Sequence, residues 1–186
     1  MSAFARAGDR VRYYEINPEV IDVAHGEAPY FTFVKDSAAQ TTVVAGDARL
    51  SLERELAAAE PQRFDLLVMD AFASDSVPVH LVTVEAFRLY TAHLRAEDSI
   101  LAVNVTNSYI DLEAVIAANA RELGFQAIRV DGLGDPPVPM ESSWILMSRG
   151  PRFLQDPAIR LSTGRPIGDR VVRFTDKYSN LYRVLK

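Results

Sequence analysis

The sequence has no cysteine. That removes a disulfide framework, a thiolate zinc site and a cysteine nucleophile together. Histidine is sparse, and His25, His80 and His93 show no spacing typical of a metal site, so no metal is expected. Long apolar runs are missing too. Leu66–Met69 and Ile100–Val103 fall far short of the roughly 20 residues that a membrane-spanning helix needs. Met1–Arg10 lacks the apolar stretch of a secretory signal. The net charge of −5 argues against a general nucleic-acid binder. No G-x-S-x-G elbow, P-loop or H-E-x-x-H occurs. The expectation is a soluble cytoplasmic product with no membrane segment in this chain and no nucleic-acid partner.

What is present describes a globular chain. It has 186 residues, 48 % of them hydrophobic and 24 % charged. The length prior gives one domain, 1–186, large enough to bury about 70 % of its chain surface. Strand-like and helical patterns alternate. Val11–Tyr14, Thr42–Ala45, Phe64–Met69, Ser99–Val105, Gln126–Val130 and Ser143–Met147 read as strands. Pro18–Ala24, Arg49–Ala59, Val84–Leu94 and Leu112–Leu123 read as helices, with Asn17 and Thr83 as N-caps. Asp131–Met140, with three prolines and two glycines, reads as a loop. Alternation of this kind predicts an α/β domain with a mainly parallel sheet over residues 1–150. The stretch 151–186 is less regular, and Val171–Phe174 is one further strand candidate.

Four successive strands end in a polar residue: Glu15, Asp47, Asp70 and Asn104. Parallel strands bring their C-terminal ends to one edge, where ligands bind in open α/β folds. Three carboxylates and an amide should therefore line one crevice. The bland alternative is helix capping, worth about 1 kcal/mol. For Asp47 the two readings weigh equally. For Asp70 capping is the weaker one, because the next helix starts only near Thr83. A strand-end acid is also the expected partner of a ribose. The loop Asp70–Leu81 carries a second acid, Asp75, with nothing basic near it in sequence, and suits a cationic ligand.

These segments resemble a known family. Tyr14-Glu-Ile-Asn-Pro-Glu-Val-Ile21, Gly46-Asp-Ala48 and Phe64-Asp-Leu-Leu-Val-Met-Asp70 look like successive motifs of the spermidine synthases, the polyamine aminopropyltransferases. The Asp70–Leu81 loop and Thr175-Asp-Lys-Tyr-Ser-Asn-Leu181 look like a bacterial branch often fused behind a membrane-transporter-like region. The resemblance implies a Rossmann-like fold of the S-adenosylmethionine-dependent transferases. It implies aminopropyl transfer from decarboxylated S-adenosylmethionine, a co-substrate rather than a permanently bound cofactor, to putrescine or a similar small cationic amine. Glu15 would bind the ribose hydroxyls, and Asp47, beside Ala48, would accept from the adenine amino group. Asp70 would sit between the donor's reactive end and the amine as base and anchor, with Asp75 helping to hold the amine. The loop acids stand five apart here, where the family spaces them three apart.

One family element is not visible. The first strand and its glycine-rich loop should precede Glu15, but only fourteen residues do, and Met1–Ala7 reads as a remnant of the following helix. Gly132-Leu-Gly134 is no substitute, because Asp135-Pro-Pro137 follows where a helix should start. The expectation is a family-like fold that lacks that strand and loop, is N-terminally truncated, and is weakly active or inactive alone. Without the strand, its neighbours must pair directly, leave a gap or be filled by another chain; a homodimer is one outcome. Two rival readings stand beside this one: a methyltransferase using intact S-adenosylmethionine, and a non-catalytic remnant. Phe31 and Phe33 are expected in the core or beneath the sheet edge, Trp144 in the core, Tyr178 and Ser179 in packing roles, and His80 in a loop or helix-end contact.

Overall fold

The computed structural model describes residues 1–26, 30–71, 77–132, 142–162 and 164–186. The chain divides into two compact units, Met1–Glu60 and Pro61–Lys186. The boundary falls inside the stretch 1–150, read above as one α/β domain.

The first unit is built on β1 (Arg10–Glu15) and β2 (Gln40–Ala45), which pair in parallel from Arg10↔Gln40 to Glu15↔Ala45. Between them runs α1 (Pro18–His25). Asn17 starts it by accepting from the Glu19 N–H at 2.9 Å, and Pro18 fills the first helical position, where no N–H is needed. After β2 comes α2 (Ala48–Ala57). Ala59, read from the sequence as the last residue of this helix, instead takes a positive φ of 60° just beyond its end. Met1–Ala7 contributes one 3-10 turn, Ser2–Phe4. Phe31 and Phe33 are not core residues; they are 51 % and 46 % exposed. The Tyr30 and Phe31 N–H groups both bond the Val23 carbonyl, which holds this segment to α1.

The second unit carries β3 (Leu66–Met69), β4 (Ile100–Asn104), β5 (Gln126–Gly132) and β6 (Ser142–Ser148) in the order β3-β4-β6-β5. The β3–β4 pair is parallel, and β6 is antiparallel to both β4 and β5. Three of the four strands therefore run the same way, as the sequence pattern predicts. The helices are α3 (Val84–Ala92), α4 (Leu112–Glu122) and the short α5 (Arg152–Gln155) and α6 (Pro157–Leu161). Thr83 and Asp111 cap α3 and α4. Helical spacing puts Phe87 and Tyr90 of α3, and Leu112, Val115 and Ile116 of α4, into the core with Leu101, Val103, Ile145 and Met147.

Among the described residues the strands form two sheets, β1-β2 and β3-β4-β6-β5. Val171–Phe174 is not a strand. Val172 and Phe174 are buried, but the Val172 N–H donates to the Ala114 carbonyl and the Phe174 carbonyl accepts from Val84 N–H. Those bonds go to helix ends rather than to a sheet. Trp144 is half-buried on β6, whereas Tyr178 and Ser179 are exposed. Tyr178 closes a turn with Thr175 through two backbone bonds, and Ser179 follows that turn. His80 is exposed in the 3-10 turn Val79–Leu81. His93 is buried and accepts at Nδ1 from Gln62 N–H. Gly132 ends β5, and the rest of the predicted loop, 133–140, lies outside the described residues.

Candidate active site

Glu15 and Asp47 emerge at the same end of the parallel β1–β2 pair. Register brings Glu15 opposite Ala45, and the Gly46 N–H donates to the Glu15 carbonyl at 2.8 Å. Gly46 then takes φ +131°, a region that L side chains rarely adopt, and the chain turns into α2. Two side chains behind Glu15 brace this end. Arg12 Nη2 donates to Glu55 Oε1 at 2.5 Å and Tyr14 Oη donates to Glu55 Oε2 at 2.7 Å, fixing β1 to α2. Burial first, and then the bond to Glu55, pushes the Tyr14 phenol well above its ordinary pKa, so it stays a donor.

Glu15 Oε1 accepts from the Asn17 N–H at 2.8 Å, while Oε2 has no partner among the described residues. Asp47 Oδ1 accepts from the Leu50 N–H at 2.9 Å and so does cap α2. The cap uses one carboxylate oxygen of Asp47. Ala48 opens the helix, and its N–H is one of the donors a helix start leaves without an internal acceptor. Replacing Asp47 by Ala should cost about 1 kcal/mol, whereas Asn should preserve the cap. Urea unfolding of both variants checks this; equal losses would remove the capping role.

In the second unit, Met69 pairs with Val103, so the next residues, Asp70 and Asn104, leave their strands side by side. Asn104 Nδ2 donates to Asp70 Oδ1 at 2.7 Å. Asp70 is exposed, and its Oδ2 has no partner among the described residues. Asn104 Oδ1 accepts from the Thr106 N–H at 2.8 Å. Asp75 lies outside the described residues. Each acid thus stands where strand-end reasoning places it, but on two sheets rather than one. Thr106 is a site residue that the sequence reading passed over; its only signal is a hydroxyl two residues after a strand-end amide.

Among the described residues, no group of three or more His, Asp or Glu side chains could hold a metal ion. No described helix is long and apolar enough to cross a membrane.

No family model matches the chain. A curated relative, the polyamine aminopropyltransferase of Vibrio vulnificus, is 34 % identical over 90 residues, which is 48 % of this chain and 27 % of that protein. The chain thus spans about a quarter of the length of that relative. The solved spermidine synthase of Thermotoga maritima superposes with a TM-score of 0.55 at 15 % identity, covering 90 % of this chain and 54 % of that one. A probable spermidine synthase from Corynebacterium glutamicum gives 0.51 at 18 % identity, covering 92 % and 74 %. The fold is a Rossmann-like α/β one, shared with these solved spermidine synthases. In sequence over those 90 residues and in fold over most of its length, the chain is similar to the polyamine aminopropyltransferases, the spermidine synthases.

Proposed function

We propose that this chain carries spermidine synthase-like aminopropyl transfer, with decarboxylated S-adenosylmethionine as donor and putrescine or a similar amine as acceptor. The observation that carries the reading is the Asp70–Asn104 pair, a carboxylate held by one oxygen with the other open to a cation. The relative's name and the fold support the same chemistry. Glu15 Oε2 is the oxygen offered to a ribose hydroxyl, and the Ala48 N–H and the Asp47 carboxylate are the groups offered to adenine. Asp70 takes a proton from the amine as the nitrogen lone pair forms its bond to the donor's methylene carbon. The C–S bond breaks, its electron pair stays on sulfur, and the sulfonium becomes neutral methylthioadenosine. A proton acceptor next to the attacking nitrogen is what this step requires.

An acidic site also selects the donor. Decarboxylation removes the one anionic group of S-adenosylmethionine, so Asp70 and its neighbours favour the decarboxylated form. Calorimetry with methylthioadenosine and both donor forms tests this. Tighter binding of the decarboxylated donor is expected. Preference for intact S-adenosylmethionine would instead indicate a methyltransferase, and no binding of any nucleoside would indicate a non-catalytic domain.

A further inference from the structure

Resting on that reading, we infer that Asn104 is a positioning residue that fixes which oxygen of Asp70 receives the proton. The side-chain amide of Asn104 has one orientation available. Its Oδ1 accepts from the Thr106 backbone N–H at 2.8 Å, so its Nδ2 must be the atom that faces Asp70. A flipped amide would set NH2 against N–H on one side and carbonyl against carboxylate on the other. Asp70 Oδ1 is therefore occupied by a donor, and Oδ2 is the oxygen turned to the amine.

The Thr106 segment is itself held. Its Oγ1 accepts from the Ser143 N–H at 2.9 Å, and the Val105 N–H donates to the Ser143 carbonyl at 2.8 Å. Ser143 Oγ accepts from Arg129 Nη2 at 2.6 Å and donates to Asp131 Oδ1 at 2.7 Å. Asn104 is thus the last link of a chain of satisfied bonds running from β5 through β6 to the strand end. An exposed carboxylate without such a donor would sample several rotamers, and few of them would aim an oxygen at the nitrogen.

The distinguishing variant is Asn104→Leu. It keeps nearly the same shape, adds no charge, and removes the donation to Asp70 together with the acceptor for Thr106. Putrescine is titrated calorimetrically into the chain saturated with methylthioadenosine, for the wild type, Asn104→Leu, Asn104→Ala, Asp70→Asn and the Asp70→Asn/Asn104→Ala pair. Each Asn104 variant should weaken putrescine binding about tenfold or more with Asp70 present. On the Asp70→Asn background, Asn104→Ala should have no further effect, because Asn104 acts only through Asp70. The side-chain amide signal of Asn104 gives a readout without ligand, and should move when Asp70 becomes asparagine. Additive losses, unchanged binding in Asn104→Leu, or an amide signal indifferent to residue 70 would each overturn the inference. If wild type binds putrescine and Asp70→Asn does not, while the Asn104 variants match wild type, only this inference falls. If wild type itself fails to bind putrescine, the proposed function falls with it.

Discussion

Asp70→Asn is expected to lower methylthioadenosine release from decarboxylated donor and putrescine at least about a hundredfold, the lower range for removing a general base. Affinity for methylthioadenosine should stay within about twofold. The geometry makes the substitution worse than a loss of charge. Asn104 can offer only its NH2 to residue 70, because its oxygen is held by Thr106. An asparagine there must turn its own carbonyl to Asn104 and its NH2 outward. The amine would then meet a donor where it needs an acceptor. The lost attraction is also large: a unit-charge pair at 4 Å is worth about 4 kcal/mol at an effective dielectric of 20, before desolvation. Turnover within threefold of wild type would remove Asp70 from the chemistry.

The second large effect is on stability. Glu113, on the first turn of α4, is 7 % exposed and surrounded by donors. Arg129 Nη1 donates to Oε2, Arg165 reaches both oxygens at 2.8 and 3.0 Å, and the Gly168 N–H donates to Oε1 at 2.8 Å. Burial alone would raise its pKa, but Gly168, Arg129 and Arg165 together outweigh burial and hold the carboxyl below its ordinary value. Glu113→Gln should destabilise the chain by about 3 kcal/mol at pH 7, the lower end for breaking a buried pair. The lower end applies because Asp131 Oδ1 still accepts from Arg129 Nε at 2.7 Å.

The pH dependence follows from the direction of the shift. A depressed folded-state pKa gives stability that is fully present above the unfolded value, near 4.3, and is lost as pH falls through the folded value. The gap between wild type and Glu113→Gln should therefore close on acidification below about pH 4. Urea midpoints measured at several pH values decide this. A gap that persists unchanged to pH 2 would assign the loss to packing instead.

Asp70 and Asn104 were readable in advance because their position depends on local pattern alone. Two apolar strands each end at a polar residue, and parallel register does the rest. The Asn17 and Thr83 caps were legible for the same reason. Glu113 was not. In sequence it is one more acid in the first turn of a helix, and its partners lie 16, 52 and 55 residues further on. Phe31 and Phe33 misled because apolarity alone does not say which side of α1 a connecting segment will follow. Val171–Phe174 misled because alternation reports which side chains are buried, and not where the backbone N–H groups go. The division after Glu60 had no local signal, since no proline- or glycine-rich linker marks it.

The strand order β3-β4-β6-β5 also bears on the order in which the protein can form as it is synthesised. The pair β1–β2 is complete once residue 45 has emerged, and β3–β4 once residue 104 has. The strand β5 emerges next but has no place beside β4, because β6 occupies it. It must wait, unpaired, for residues 142–148. The core then still lacks Val172, Phe174 and Val184, all buried, and the Asp111 N–H still lacks the Val184 carbonyl that it bonds. A nascent chain halted anywhere from β5 to residue 184 thus exposes either an unpaired strand edge or an open apolar core, the conditions under which chains associate wrongly. The second unit is committed only when its final few residues arrive.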